Sequence, residues 1–219
     1  MATPPAKLTR QQRRRRRLLR RAARLAVAAI VVIALVLADR AGLFGRRPLD
    51  DRARYNGATC RVVRVIDGDT LDVNIPDGRY DHTRIRLWGV DTPETVHPDK
   101  PTQHFGPEAS AMTRQLALDE HVTLRLEPTG RTRDNKEYNR LLAYVILPDG
   151  RMLNRVLIAQ GYGYADPRYD HQFAADFAKV QAGARQGRLG LWWAVTNDDL
   201  PFYYHNKLEL PPPAHESPP

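Results

Sequence analysis

The chain has 219 residues, 42% hydrophobic and 27% charged, which suits one modest domain with appendages and excludes a disordered chain. Its net charge of +9 belongs to the first 50 residues, which hold 13 of the 34 Lys and Arg and 2 of the 25 Asp and Glu; the other 169 residues hold 21 and 23 and are slightly acidic. The isoelectric point is therefore no argument for a phosphate-rich partner, which would have to be bound by a few placed arginines, and the single Cys60 excludes an intrachain disulfide framework and a cysteine-based zinc cluster.

Residues 1–24 are polar and basic, with Arg13 to Arg17 followed by Arg20, Arg21 and Arg24. The next 14 residues, Leu25 to Ala38, are uncharged. As a helix this run rises ~21 Å, short of the ~30 Å hydrocarbon core. A charged region followed by an apolar one is the layout of an export signal. Val36-Leu37-Ala38 is a loose cleavage site, and Arg15-Arg16-Arg17-Leu18-Leu19-Arg20 loosely matches a twin-arginine signal. The other reading, preferred narrowly, is an uncleaved single-pass membrane anchor over 25–45. Arg24 would snorkel at one end, with Asp39 and Arg40 at the other interface. The charge asymmetry keeps the N-terminus inside and sends the body out of the cytoplasm, as an anchored or, after cleavage, a secreted protein. Residues 46–58, with Pro48 and Gly57, read as a linker.

The pattern changes at Thr59. Strands are predicted over Cys60 to Ile66, Thr70 to Ile75 and Thr83 to Val90, the last two joined by the turn Pro76-Asp77-Gly78. Cys60 itself reads as a small buried strand residue. A helix follows from Pro107 to Leu118, with proline in its first turn. Two more strands are predicted over His121 to Leu126 and Leu141 to Leu147. Helices follow over Met152 to Gln160, ending at Gly161, and over Phe173 to Gln186. Trp192 and Trp193 are placed at the core edge. Five short strands and three helices predict an α+β fold over 59–194: a five-stranded closed barrel of the oligonucleotide-binding type with three flanking helices, preceded by the N-terminal hydrophobic export or anchor segment. Residues 195–219 read as a polar, Pro-rich disordered tail.

Three segments carry chemistry. Alone, Asp67-Gly68-Asp69 is a turn, Asp91-Thr92-Pro93-Glu94 is a strand end entering a loop, and Arg131 to Arg140 is a solvated charged loop. Together they differ. Asp69, Asp91 and Glu94 sit at the ends of neighbouring strands, where converging carboxylates repel unless a cation joins them. A hard divalent ion takes such oxygens, backbone carbonyls included. Arg86 and Leu87 point to opposite faces of their strand, and Arg140 opens the fifth strand at the same barrel mouth. Oxygen donors beside two guanidinium forks suit a phosphodiester, whose growing charge they neutralise. A spare carboxylate could orient or deprotonate water.

These motifs resemble the thermonuclease (staphylococcal nuclease-like) family over about residues 59–193. They are Val65 to Thr70, Arg86 to Thr95, Phe105 to Ala109, Tyr138 to Tyr144, Gln160-Gly161 and Gly190-Leu191-Trp192. The resemblance implies an OB-fold nuclease, usually dependent on one calcium ion, that hydrolyses single-stranded DNA or RNA readily. It implies Asp69 and Asp91 as metal ligands by side chain and Thr92 as a ligand by its carbonyl. Arg86 and Arg140 become the phosphate and transition-state clamps, Glu94 the residue that positions or activates water, and Asp67 a supporting acid. Tyr138 resembles a residue that contacts the nucleotide. Asn139 stands where the family has Gly, and Asn tolerates a left-handed backbone. Of Tyr162, Tyr164 and Tyr169 in the loop where the family stacks a base, Tyr169 is the choice. The chain is expected to be monomeric. The competing reading is a catalytically silent nucleic-acid-binding OB-fold module tethered to a membrane. Such a module would be expected to lose carboxylates or arginines, all of which this chain retains.

Overall fold

The computed structural model describes residues 10–40, 50–95, 103–134, 139–205, 207, 208 and 210. The chain divides into two units, 1–49 and 50–219. In the first, α1 (Arg10–Arg40) carries the basic stretch and the apolar run on one helix. Among the described residues no helix is long and apolar enough to cross a membrane.

In the second unit, apolar residues alternating with polar ones form strands that bury one face each. Strands β1 (Thr59–Val65), β2 (Thr70–Val73), β3 (Thr83–Leu87), β5 (His121–Arg125) and β6 (Leu141–Ile146) close a barrel in the order β1-β2-β3-β6-β5. Neighbours are antiparallel except β3 and β6, which run parallel. Val62, Leu71, Ile85, Leu124, Leu141 and Val145 are completely buried inside it. The strands match the sequence reading to within two residues, save one. Thr83 to Val90 is not a single strand: β3 stops at Leu87, and β4 (Val90–Asp91) pairs with β7 (Tyr164–Ala165) instead. The break falls at Gly89, whose φ is 74°; a Cβ there would lie 2.5 Å from the His171 ring. Glycine alone permits both the backbone and the approach.

Helices α3 (Gly106–Ala117), α4 (Leu153–Ala159) and α5 (Ala174–Gln186) are the three expected. The buried Asn154 joins α4 to the barrel. Its Oδ1 accepts from Val145 N at 3.0 Å, and its Nδ2 donates to the carbonyls of Trp88 at 3.0 Å and Ala143 at 3.2 Å.

The folded unit is longer at both ends than 59–194. Part of the expected linker is a one-turn helix, α2 (Asp51–Tyr55), capped by Asp50, whose carboxylate accepts from Arg52 N at 3.3 Å. Its Tyr55 is fully buried in the core and takes a hydrogen bond from Thr83 Oγ1 at 3.2 Å. Part of the expected tail is also ordered. Just after the 3₁₀ turn Gly190–Trp193, which closes the expected domain and buries Trp192, a second (Asn197–Asp199) carries a capping box between Thr196 and Asp199. Leu200 and Tyr203 beyond it are buried. Leu200 joins a second, smaller cluster around Tyr164 and Trp192, with Tyr204 packed against it, which is what holds a segment otherwise rich in polar residues. Residues 211–219 lie outside the described residues.

If α2 belongs to the core, Tyr55→Ala lowers unfolding free energy by about 3–5 kcal/mol, as aromatic truncations in cores do. Tyr55→Phe costs only about 1 kcal/mol for the lost hydroxyl bond. Urea unfolding of both variants checks this.

Candidate active site

The turn between β1 and β2 builds the first part of the site. Asp67 Oδ1 accepts from Asp69 N at 3.0 Å, and Ile66 N donates to Thr70 O at 2.9 Å. Gly68 has no room for a side chain, since a Cβ would meet Thr92 Oγ1 at 2.6 Å. Its carbonyl accepts from Thr113 Oγ1 at 2.6 Å, so α3 clamps the turn from behind. Asp69 is thereby held 1% exposed. Its Oδ2 accepts from Thr92 N at 2.8 Å and Thr92 Oγ1 at 3.1 Å.

Arg86 faces Thr70 across the β2–β3 ladder. One terminal nitrogen of its guanidinium donates to Asp69 Oδ1 and the other to Asp91 Oδ1, so a single cation bridges both acids. Asp91 Oδ2 accepts from Tyr203 Oη at 2.7 Å and Arg168 Nη2 at 3.2 Å. Arg140 arrives from β6. Its N and Nε grip the two oxygens of Asp134 at 2.7 and 2.6 Å, and its Nη1 donates to Thr70 Oγ1 at 3.3 Å. Thr70 Oγ1 in turn donates to Asp69 Oδ1 at 3.1 Å, which links the two arginines through one hydroxyl. Asn139, just before Arg140, has φ 49°, the left-handed backbone expected of it. The same loop is fastened by Arg133, which pairs with Asp51 on α2 at 2.9 Å and Asp77 at 2.6 Å. Glu94 is half-buried; its Oε1 accepts from Thr95 N at 3.0 Å, and its backbone exchanges bonds with Gln103 at 2.7 and 2.9 Å.

The electrostatics follow from burial. Desolvation pushes the Asp69 carboxyl up, to about 8, with Asp67 and Asp91 adding to the rise and Arg86 opposing it. Burial also raises Asp91, but Arg86, Tyr203 and Arg168 outweigh it and hold that carboxyl below its ordinary value. The groups that meet there are the carboxylate oxygens of Asp69 and Asp91, which suit a hard cation rather than zinc. That one guanidinium reaches both acids means they converge on a single cationic point, so the residues fit a divalent ion. Among the described residues no three His, Cys, Asp or Glu share such a point. The fit therefore rests on two acids, leaving further positions for water and substrate.

Asp69, Asp91, Thr92, Arg86 and Arg140 are thus brought together. Thr92 enters through its N–H and hydroxyl. Tyr138 lies outside the described residues. Tyr169 packs on Trp88, ring centroids 5.2 Å apart, with the Arg131 guanidinium 4.2 Å from its own centroid; its contacts are with that stack rather than with the carboxylates. Sequence reasoning missed Thr70, Asp134, Arg168 and Tyr203. Thr70 could have been found from its place in the Asp-Gly-Asp-Thr turn; Arg168 and Tyr203 carry no local signal.

Two positions after Thr70 on β2, Asp72 is 1% exposed and held by Arg64 Nε at 2.8 Å and Arg84 Nε at 2.8 Å. Burial raises its carboxyl, but Arg84 and Arg64 outweigh this and keep it low.

Residues 84–194 match the family model described as staphylococcal nuclease homologue. The match takes in Arg86, Asp91, Thr92, Glu94, Arg140 and Tyr169 and begins after Asp69. The chain is 39% identical over 130 residues to a thermonuclease of Staphylococcus hyicus, covering 58% of this chain and 72% of that protein. It is 38% identical over 139 residues to a thermonuclease of Staphylococcus intermedius, covering 62% and 77%. It is 36% identical over 135 residues to endonuclease YncB of Bacillus subtilis, covering 59% of each.

Asp72 gives a pH prediction. A carboxyl whose folded value lies below its unfolded one, ordinarily ~3.9, adds stability above that pH and loses it as pH falls through the folded value. Wild type should therefore lose more unfolding free energy between pH 6 and pH 3 than Asp72→Asn does, and the variant should be the less stable at pH 7. Urea titrations at the three pH values check it.

Proposed function

The chain belongs to the family of staphylococcal nuclease homologues, and on that premise we propose that it is a nuclease hydrolysing phosphodiester bonds of DNA or RNA, preferring single strands and dependent on one calcium ion. The observation that carries the reading is the continuous chain of contacts from Asp91 through Arg86, Asp69 and Thr70 to Arg140.

On this reading Asp69 and Asp91 would hold the ion by side chain, and Thr92 would add its carbonyl. Bound there, a calcium ion would supply positive charge to the scissile phosphate as its oxygens gain charge. Arg86 and Arg140 offer planar forks to the same phosphate, stabilising the crowded pentacoordinate state more than the ground state. Asp134 fixes the Arg140 fork in direction, so little side-chain freedom is lost on binding. Arg86 grips substrate by giving up part of its bonding to the two acids. Glu94, tied at its backbone to Gln103, orients the attacking water and accepts its proton.

The full chain should cut single-stranded DNA with calcium and not in excess chelator. Magnesium should serve less well, because two carboxylates and a carbonyl leave a loose shell that a tight octahedron does not favour. Arg86→Lys and Arg140→Lys should each lower kcat/KM about a hundredfold or more, since lysine keeps the charge but not the fork. Activity in chelator, or lysine variants within a few-fold of wild type, would overturn the assignment.

We also read the N-terminal segment as an export device that puts the nuclease outside the cytoplasm. The support is the clustering of 13 basic residues, most of them ahead of an uncharged run, in the first 50. Cell fractionation tests it: full-length protein in membranes means an anchor, a mature N-terminus near Asp39 in the exported fraction means a cleaved signal, and intact chain in the cytoplasm defeats both.

A further inference from the structure

Asp91 has two carboxylate oxygens with different duties. Oδ1 faces Arg86 and, through it, Asp69. Oδ2 faces away and is occupied by Tyr203 Oη at 2.7 Å and Arg168 Nη2 at 3.2 Å. Tyr203 lies in residues 195–205, beyond the 84–194 that match the family model. The segment is fastened at several points. Thr196 and Asp199 cap its 3₁₀ turn at 2.9 and 2.6 Å, and Leu200 is buried. Tyr204 Oη donates to Ala165 O at 2.5 Å and accepts from Gln181 Nε2 at 3.1 Å. Ala165 belongs to β7, the strand paired with the β4 residues Val90 and Asp91. The segment is thus anchored on the ladder that carries the carboxylate it touches.

Arg168 is held in the same way. Its Nε and Nη2 donate to Asp166 at 2.8 and 2.7 Å, and its guanidinium lies 4.4 Å from the centroid of the Tyr203 ring. The phenol, the guanidinium and the carboxylate therefore form one packed group, with Tyr203 only 7% exposed.

We propose that Tyr203, seconded by Arg168, is a positioning residue for the metal site: its hydroxyl pins Oδ2 of Asp91 so that Oδ1 stays aimed at the point shared with Asp69, which makes the C-terminal segment a working part of the nuclease. This rests on the calcium reading given above. Two effects compete. A donor on Oδ2 draws charge from the carboxylate, which weakens its hold on a cation. It also fixes the plane of the carboxylate, which otherwise turns about its Cβ–Cγ bond. Orientation prevails, because removing hydrogen bonds that hold metal ligands commonly lowers metal affinity by about 10–100-fold.

Tyr203→Phe separates this from mere packing, since it keeps the ring and deletes only the hydroxyl. Calcium is titrated calorimetrically into the metal-free full chain, wild type and variant, alongside thermal unfolding and kcat across calcium concentrations. The variant should bind calcium about tenfold or more weakly, melt within about two degrees of wild type when metal-free, and regain kcat at saturating calcium. A calcium Kd within twofold of wild type, or a loss of kcat that saturating calcium leaves unrepaired, overturns the role of Tyr203 and leaves the calcium nuclease reading standing. A wild type that binds no calcium overturns both.

Discussion

Two aspartates that face one point, one of them 1% exposed, are the constraint on which the site depends. Like charges in a low dielectric repel strongly, and each also loses its hydration. The Arg86 guanidinium answers both demands at once by donating one nitrogen to Asp69 and the other to Asp91. Its place is dictated by the barrel: opposite Thr70 on the β2–β3 ladder and three residues before the bend at Gly89 that returns Asp91 to face it. A strand continued straight through Gly89, as the alternation suggests, would carry Asp91 away from Arg86. The break in the strand is therefore what makes the cluster possible.

Around this centre the supports come from far along the chain. Thr113 on α3 holds the Gly68 carbonyl, Asp134 holds Arg140, and Arg133 ties the Arg140 loop to α2 and to the turn before β3. Each of these groups is polar and at least partly buried, where a hydrogen bond left unmade costs more than one formed yields. The fold thus penalises any departure of the loops from these places, and the loops carry the chemistry.

This division explains what could be read from the sequence. Strands such as His121–Arg125 and Leu141–Ile146 declare themselves by alternation, and α3 by Pro107 and its period. Asp69, Asp91, Arg86 and Arg140 sit in short motifs close to those elements, so their meeting was legible once the barrel was assumed. Helix α2 was not, because five residues are too few to show a 3.6-residue period. Nor was the ordered stretch after Asn197. Its burial depends on three large side chains, Leu200, Tyr203 and Tyr204, each meeting a surface that only the finished fold presents. The contact between Tyr203 and Asp91 spans 112 positions, and no local pattern encodes such a pair.

Asp91 also shows why the two acids are not equivalent. Asp69 is served by Thr70 within the barrel and by the N–H and hydroxyl of Thr92 just past β4, and burial dominates, so its carboxyl is pushed up. Asp91 sits on a two-stranded ladder outside the barrel and is served by Arg168 and Tyr203, which with Arg86 outweigh burial and keep its carboxyl low. One acid is thus fixed in position by the core and the other kept ionised by peripheral segments. Arg86, which serves both, is also the fork proposed to meet the phosphate. Its bonds to the acids and its grip on substrate draw on the same donors. The more firmly other groups keep Asp91 ionised and oriented, the less of Arg86 that task consumes, and Tyr203 and Arg168 are placed to supply that relief.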